Sequence, residues 1–330
     1  GNGGYKLSFA EKKNLLETCI YGVDIDIHAV EIARFSLLVK LVENENSPTV
    51  ASASPILPDL SMNVQLGNAL VTQSEAVTNG ASSQELAALV PFDWSSINNG
   101  MQFDAIIGNP PYVKTGDMHA LLPEVEFEIY KQKYRSAYKQ FDKYYLFIEE
   151  ALAKTADKGY VCFVVPNKFF KIRSGEKLRS LIASQHFLAS LDDFGDVQLF
   201  EDKTIYSSIL CLQKQDRPRF EYAVVSLTDE LWAEDNINKV IMPSDYLGSD
   251  PWRLTTNIDL LKDFMEVQKA SVPITKYAEP FNGIQTSAER RRTYWFLQSE
   301  IKAEREGCVI VERDGREWGI EKAILRPFFK

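Results

Sequence analysis

The sequence predicts an α/β protein, built on an open sheet with helices on both of its faces. Short apolar runs typical of buried strands alternate with segments of helical periodicity over about the first 215 residues. Polar residues follow several of these runs, at the positions where the carboxyl ends of strands meet and where α/β sheets bind ligands. Hydrophobic residues make up 45% of the chain and charged residues 25%, which is ordinary for a globular protein.

Periodicity assigns the first elements. Apolar residues recur at helical spacing over 8–18 and over Ala29–Leu41, and the run from Ile20 to Asp26 between them predicts a strand. Val64–Leu66 predicts a second, short strand. The Ser-, Asn- and Ala-rich stretch 70–100 predicts a polar connection.

The following elements continue the alternation. Phe103–Gly108 is a β-branched run that stops at a Pro-Pro turn, which predicts a buried strand. Further on, the pattern predicts helices over Tyr144–Lys154 and 175–184, and strands over Gly159–Pro166, Ala189–Phe194 and Ile205–Gln213.

The sequence changes character near Gln215. Clear alternation is lost there, and four of the five tryptophans lie beyond this point (Trp232, Trp252, Trp295 and Trp318). We therefore predict one domain over 1–215, a linking segment over 216–271 with a helix at Asp259–Lys269, and the beginning of a separate module over 272–330.

The charge distribution leaves two interpretations of the partner. A formal charge of −9 argues weakly against nucleic acid, because phosphate contacts supply much of its binding energy. Residues 131–143 and 168–179, however, each carry five basic side chains against one acidic one. These clusters are either solvated faces or the walls of a basic cleft on an acidic protein.

Cysteine and histidine usage narrows the class further. The four cysteines are widely spaced without a C-x-x-C pair, which favours buried, reduced thiols and a reducing cytoplasm. Three histidines make a zinc site improbable, so no metal is expected. No segment approaches the ~20 consecutive apolar residues that a membrane span requires.

The turn Asn109-Pro110-Pro111-Tyr112 is the most specific feature of the sequence. Two prolines fix the backbone and remove two donors, so that the Asn109 side chain and the following carbonyl keep one orientation. Tyr112 adds a flat aromatic face beside these acceptors. The combination suits gripping a planar group that carries an amine.

This turn resembles the catalytic loop of amino-methyltransferases that use S-adenosylmethionine, above all the adenine-N6 DNA methyltransferases of bacterial restriction–modification systems. The resemblance implies a doubly wound, Rossmann-like sheet, S-adenosylmethionine as the cofactor and double-stranded DNA as the partner. Asn109 and Pro110 would accept the hydrogens of the adenine amine, and Tyr112 would stack on the base after it is flipped out of the duplex.

The resemblance also assigns the cofactor side of the site. Asp24, at the end of its strand, would accept both hydroxyls of the ribose, and Ile25 would pack on the cofactor's adenine. Asn68, in Gly67-Asn68-Ala69-Leu70, would bind the adenine amino group. For Asp26 we favour a surface acid near a helix start.

A second element resembles the family's Phe-x-x-Lys segment, which closes over the flipped base. Phe200 and Lys203 precede the strand at 205–213 and would contact the base from its other side. The alternative is an ordinary loop with a core phenylalanine.

The family's first motif, an acid-Pro-x-Cys-Gly-x-Gly loop, has no match upstream of Asp24. We therefore expect the chain to lack the first strand of the sheet and to bind cofactor weakly or not at all. Gly283–Thr286 and Ile324–Phe328 resemble the start of the target-recognition region in type IIG-like enzymes. Arg290–Arg292 is either a phosphate-contacting cluster or a solvated triplet. No nuclease motif stands out, so nuclease and specificity regions are expected outside the chain.

Two other functions share part of this pattern. Methyltransferases acting on release-factor glutamine or on rRNA guanine use the same turn, but they are normally compact, whereas this chain continues for about a hundred residues after the strand at 205–213. A non-catalytic DNA-binding piece of a larger enzyme is a further alternative, since the first motif is not found.

Overall fold

The computed structural model divides into two compact units, 1–263 and 264–330. It describes the following residues: 7–45, 57–97, 100, 102–198, 206–225, 237–272, 274–278, 301–313 and 315–325. The division lies inside a helix near 263, whereas the sequence suggested a boundary after 215.

The first unit opens with two helices and two short strands. They are α1 (Phe9–Thr18), β1 (Gly22–Asp24), α2 (Ile27–Val42) and β2 (Val64–Leu66). β1 and β2 are parallel and form a separate two-stranded sheet, on which α2 packs. These elements were all predicted from periodicity, within a few residues at their ends.

The stretch 70–100 is more ordered than its polar composition indicated. It contains α3 (Gln73–Thr78) and α4 (Ser83–Leu89), each starting at a capping box in which Thr72 or Ser82 pairs with a glutamate three residues later. These helices have six and seven residues, too short for a clear apolar repeat.

Six strands form the main sheet in the order β3-β4-β6-β5-β7-β8. They are β3 (Phe103–Gly108), β4 (Thr155–Pro166), β5 (Leu188–Gln198), β6 (Tyr206–Gln213), β7 (Arg219–Val225) and β8 (Ile237–Pro243). The sheet is mixed, since β3–β4 and β5–β7 are parallel and the other pairs are antiparallel. The mixed α/β class is thereby confirmed.

The predicted linking segment 216–271 needs correction, because β7 and β8 lie within it and extend the main sheet. β7 pairs with β5, a strand more than twenty residues upstream, so no local signal in the sequence announces this pairing. The predicted helix of this segment is present as α9 (Ile258–Ala270).

Helices cover one face of the main sheet. They include α5 (Thr115–Leu121), α6 (Glu124–Lys133), α7 (Lys143–Lys154) and α8 (Glu176–Ala183). Tyr144 and Tyr145 of α7 are fully buried in the core on this side. On the opposite face, the β3–β4 end is open in the described part of the chain: Ile107 is 81% exposed and Tyr160 46%.

Among the described residues, β1 and β3 each have a strand partner on one edge only, so the two sheets are not joined. Tyr21, just before β1, and Phe103 of β3 have ring centroids 6.0 Å apart.

The cysteines differ from the expectation of reduced thiols. Cys162 of β4 and Cys211 of β6 are directly opposite each other in the sheet and are joined by a disulfide, whereas Cys19 and Cys308 are free. The pairing follows from the register of the two strands, which the sequence alone did not provide. None of the helices in the described ranges is long and apolar enough to cross a bilayer.

The second unit contains a three-stranded antiparallel sheet in the order β11-β10-β9. Its strands are β9 (Ile301–Arg305), β10 (Cys308–Arg313) and β11 (Arg316–Glu321). Gly283–Thr286, Arg290–Arg292 and Arg326–Phe328 lie outside the described residues.

Candidate active site

The Asn-Pro-Pro-Tyr turn begins where β3 ends, at the carboxyl end of a parallel strand pair. Asn109 is exposed immediately after Gly108, while Pro110 is buried. The strand fixes where Asn109 emerges, and the buried proline anchors the backbone behind it. This places a carboxamide and the neighbouring carbonyl at the edge where α/β sheets bind ligands.

Tyr112 fixes the orientation of the Asn109 side chain. Its hydroxyl lies 2.6 Å from Asn109 Oδ1 and 3.0 Å from the carbonyl oxygen of Val164 on β4, so its single O–H hydrogen is shared between these two acceptors, of which Asn109 is the nearer. Its ring meets the buried Tyr144 edge-to-face at 6.0 Å. Burial raises the pKa of Tyr112 to about 12, so the phenol stays a neutral donor at physiological pH.

Backbone hydrogen bonds tie the residues after the turn to the start of α7. The amide of Lys143 donates to the Val113 carbonyl, and both the amide and the hydroxyl of Thr115 donate to the Phe141 carbonyl. Lys114 and Asp142 form an antiparallel bridge beside these bonds. Residues 113–115, which follow the turn, are therefore fixed by backbone hydrogen bonds to the start of α7.

An ion pair between a buried aspartate and a partly exposed lysine, which was not predicted, lies next to this junction. Asp142 is 3% exposed, and its Oδ2 lies 2.7 Å from the ammonium group of Lys168, just after β4. Asp142 Oδ1 is also buried and accepts no hydrogen bond from any described residue. Asp142 and Lys168 are 26 residues apart, and each looked like part of a solvated basic cluster in the sequence.

The two aspartates at the end of β1, Asp24 and Asp26, make different contacts. Asp26 caps α2, since its Oδ1 accepts the His28 amide at 2.8 Å, and this confirms its interpretation as an acid at a helix start. Asp24 is exposed, and its Oδ1 accepts the Asp26 amide at 2.8 Å. Ile25 beside it is 52% exposed. An exposed carboxylate next to an exposed apolar side chain fits a ribose diol followed by an adenine ring.

Asn68 follows β2 but is 4% exposed. Its Oδ1 accepts the Leu70 amide at 3.1 Å, and its Nδ2 donates to Glu126 Oε1 at 3.1 Å. The side chain thus shapes the loop after β2 from inside the core. Its predicted contact with the cofactor's adenine is not tested by this geometry and stays a prediction.

Glu126 is the main residue that the sequence analysis missed. It is 3% exposed on α6 and accepts hydrogen bonds from Asn68 and from Tyr130, while the ammonium of Lys143 lies 3.4 Å from it. Since Lys143 also binds Val113 through its amide, Glu126 connects the loop after β2 with the Asn-Pro-Pro-Tyr turn. Its neighbours Phe127, Ile129 and Tyr130 are buried too, and no element was predicted for this segment from the sequence.

The remaining predicted site residues are not described. Phe200 and Lys203 lie outside the described residues, between the end of β5 at Gln198 and the start of β6 at Tyr206. No group of three or more His, Cys, Asp or Glu side chains in the described ranges could hold a metal ion.

Comparison with known proteins gives consistent matches. Residues 18–200 match the model of the family described as Eco57I restriction-modification methylase. The Escherichia coli protein named Type II restriction enzyme and methyltransferase RM.Eco57I is 39% identical over 332 residues, which cover 99% of this chain and 32% of that protein. Type II methyltransferase M.PaeR7I of Pseudomonas aeruginosa is 28% identical over 69% of this chain and 42% of its own length.

The chain therefore spans less than half the length of either relative. A solved structure, the cryoEM structure of a DrdV–DNA complex, aligns with a TM-score of 0.46 and 14% identity over 67% of this chain and 22% of that one. This likeness is too distant to support an inference.

Proposed function

Because this chain belongs to the Eco57I restriction-modification methylase family, we propose that it carries the methyl-transferring part of a restriction–modification enzyme, with adenine in double-stranded DNA as the substrate. The observation that supports this most directly is the Asn109–Tyr112 geometry: an exposed carboxamide, oriented by a neutral phenol, at the carboxyl end of β3. The names of the two relatives include methyltransferase activity.

The acceptors of the turn suit an exocyclic amine. The lone pair of such an amine is delocalised into the ring, which makes the nitrogen a poor nucleophile. Asn109 Oδ1 and the Pro110 carbonyl would accept hydrogen bonds from its two N–H groups and hold these hydrogens out of the ring plane. The lone pair would then be localised on the nitrogen. When bound, S-adenosylmethionine would supply a methyl group on a sulfonium, with a neutral thioether as the leaving group. The methylated amine would release one proton to solvent, because the amide oxygens of Asn109 and Pro110 are not basic. Positioning and electrostatic stabilisation of the transition state would supply most of the rate enhancement.

The chain offers residues that would hold this cofactor. We assign the ribose to Asp24 and the adenine ring to Ile25, since both are exposed at the end of β1. Asn68 would shape the same pocket from its buried position. Tyr112 would stack on the flipped base, and Phe200 with Lys203 would contact it from the other side.

The partners follow from the same proposal. Double-stranded DNA is the substrate, and the unit 264–330 would begin a target-recognition domain. Nuclease and specificity regions would lie outside these 330 residues, as the combined name of the Escherichia coli relative suggests. The reaction would take place in the bacterial cytoplasm.

A methylation assay tests the proposal. The protein, expressed at full length from its own gene, is incubated with tritiated S-adenosylmethionine and duplex DNA, and the nucleosides are separated by liquid chromatography and mass spectrometry. We expect N6-methyladenine as the product. Its rate of formation should fall by at least about 10²-fold in Asn109→Ala, because an essential hydrogen-bond acceptor is removed. Asn257→Ala, at an exposed helix cap far along the chain, is the control and should keep the wild-type rate.

The alternatives give different products. Label in protein glutamine or in rRNA guanine, with none in DNA, would contradict the proposal and favour the related methyltransferases. Binding to DNA without label in any acceptor would favour a non-catalytic DNA-binding role.

A further inference from the structure

The structure separates the basic residues of 131–143 and 168–179 into two groups. Several are used inside the protein. Lys133 lies 3.2–3.3 Å from Glu75 and Glu150, Lys143 pairs with Glu126, and Arg179 is 1% exposed and donates to backbone carbonyls, including that of Phe169. The charges of these side chains are used in contacts within the protein.

Five of the others belong to the loop 138–142 and to the segment 168–177, which pack on each other. Three contacts hold the two together: Lys168 with Asp142 at 2.7 Å, Lys139 with Glu176 at 4.0 Å, and the Lys177 ammonium 5.4 Å from the Tyr138 ring centroid. Within these two segments five basic side chains oppose two acidic ones, a net charge of +3 on a chain whose total is −9. We call this the 138–177 surface.

Two ammonium groups share one aromatic ring on this surface. Lys139 Nζ lies 4.5 Å from the Tyr138 centroid, and Lys177 Nζ approaches the same ring from another element. Their only described carboxylate partner is Glu176, whose side chain is 36% exposed. Two like charges drawn together with one weak counter-charge repel each other, and an added anion would relieve this.

The backbone adds to this picture. Lys139 has φ +55°, a left-handed conformation that lysine rarely adopts. Residues held in such conformations often serve a ligand contact.

The surface lies directly beside the candidate active site. The carbonyl of Phe141, at the end of the loop, accepts two hydrogen bonds from Thr115, and Asp142 forms a backbone bridge with Lys114. Lys114 and Thr115 are the second and third residues after Tyr112. The end of the loop 138–142 therefore contacts the segment that directly follows the Asn-Pro-Pro-Tyr turn.

We propose that the 138–177 surface binds the phosphate backbone of duplex DNA beside the target base, with Lys139 and Lys177 as the phosphate contacts. The inference rests on the proposed function for its partner. Lysine binds phosphate as a point charge, and such contacts fix the register of the protein on DNA without reading sequence. Exposed lysines next to an aromatic ring are suited to this role, whereas the paired lysines of the core are not.

The test is a fluorescence anisotropy titration of the full chain with a labelled mixed-sequence DNA duplex at several salt concentrations. For the double variant Lys139→Gln/Lys177→Gln we expect at least about tenfold weaker binding at 100 mM salt. The slope of log K against log salt should fall by about 2, since each lost phosphate contact contributes about 0.9. Lys139→Arg/Lys177→Arg should retain binding, because the charges remain.

The matched control is Lys40→Gln/Lys262→Gln. It makes the same charge change at two exposed lysines, each paired with a carboxylate three residues away, and should bind as wild type does. Circular dichroism establishes that each variant is folded.

The outcomes separate this inference from the proposed function. Wild-type binding with an unchanged slope in the double variant would overturn the inference and leave the function untouched. A wild-type protein that does not bind duplex DNA at any salt concentration would overturn the DNA partner of the proposed function, and the inference with it.

Discussion

Asn68 and Glu126, 58 residues apart in sequence, meet in the core through a hydrogen bond of 3.1 Å from Nδ2 to Oε1. Asn68 shapes the loop after β2, which we assign to the cofactor. Glu126 is connected through Lys143 to Val113, which directly follows the turn that we assign to methyl transfer. The two halves of the candidate site are thus held at a fixed distance by a buried polar network.

Glu126→Gln should destabilise the fold by about 1–3 kcal/mol, because the amide removes the charge opposite Lys143 and one acceptor from Asn68 or Tyr130. The free energy of unfolding in urea measures this. Glu128→Gln on the same helix, where the glutamate is exposed and pairs with Lys131 at 3.4 Å, should change stability by less than about 0.5 kcal/mol. Equal effects of the two substitutions would contradict a role for the buried network.

Tyr112→Phe should lower the rate of methyl transfer about 5–10-fold, since the ring remains but Asn109 loses the hydroxyl that orients it. Single-turnover methylation of duplex DNA gives this rate, and the loss should be smaller than in Asn109→Ala. Tyr246→Phe removes a hydroxyl that donates to the Arg253 carbonyl and should have no effect on the rate. A Tyr112→Phe enzyme as fast as wild type would show that the hydroxyl does not orient Asn109.

Gly67→Ala should destabilise the loop before Asn68 by about 1–3 kcal/mol, because the added Cβ would lie 2.6 Å from the Cβ of Phe92. Thermal unfolding is a sufficient measurement. In the control Gly22→Ala, the nearest atom would be Val64 Cγ1 at an ordinary 3.6 Å, and we expect a change below about 0.5 kcal/mol. If Gly67→Ala were as stable as the control, the loop would be able to move away from Phe92.

Stability should fall as pH rises from about 10 to about 12. Burial raises the pKa of Tyr145 to about 12 and that of Tyr144 further, so in this range these residues ionise in the unfolded chain but not in the folded protein. The unfolded state then binds fewer protons, and the stability that is fully present below pH 10 is lost. Urea unfolding between pH 9 and 11.5 measures the slope of this loss.

Tyr145→Phe should reduce that slope by at most about 1.4 kcal/mol per pH unit, the value for one proton. Tyr160→Phe, at a side chain that is 46% exposed, serves as the matched control. An identical slope in wild type and Tyr145→Phe would mean that Tyr145 does not contribute.

Much of the secondary structure was predictable because its signals are local. The β-branched run of β3, the prolines at 110 and 111 and the acid at Asp26 act on residues within one turn or one strand of themselves. These signals placed Asn109 at the carboxyl end of a strand, and the structure has that strand with the same bounds. The short helices α3 and α4 were missed, since six or seven residues do not establish a period.

The sequence by itself determined the α/β class, the strands β1 to β3 and the turn that carries Asn109 and Tyr112, because each depends on interactions between residues close in the chain. Only the tertiary structure decided that β7 and β8 join the main sheet, that Asp142 pairs with Lys168, and that Glu126 meets Asn68. The two side-chain contacts join residues that are 26 and 58 positions apart in the chain. In the sheet, β7 pairs with β5, although β6 lies between these strands in the sequence. Packing of the whole core selects such contacts, and it does so because a buried charge or an unpaired strand edge is costly unless a distant partner satisfies it.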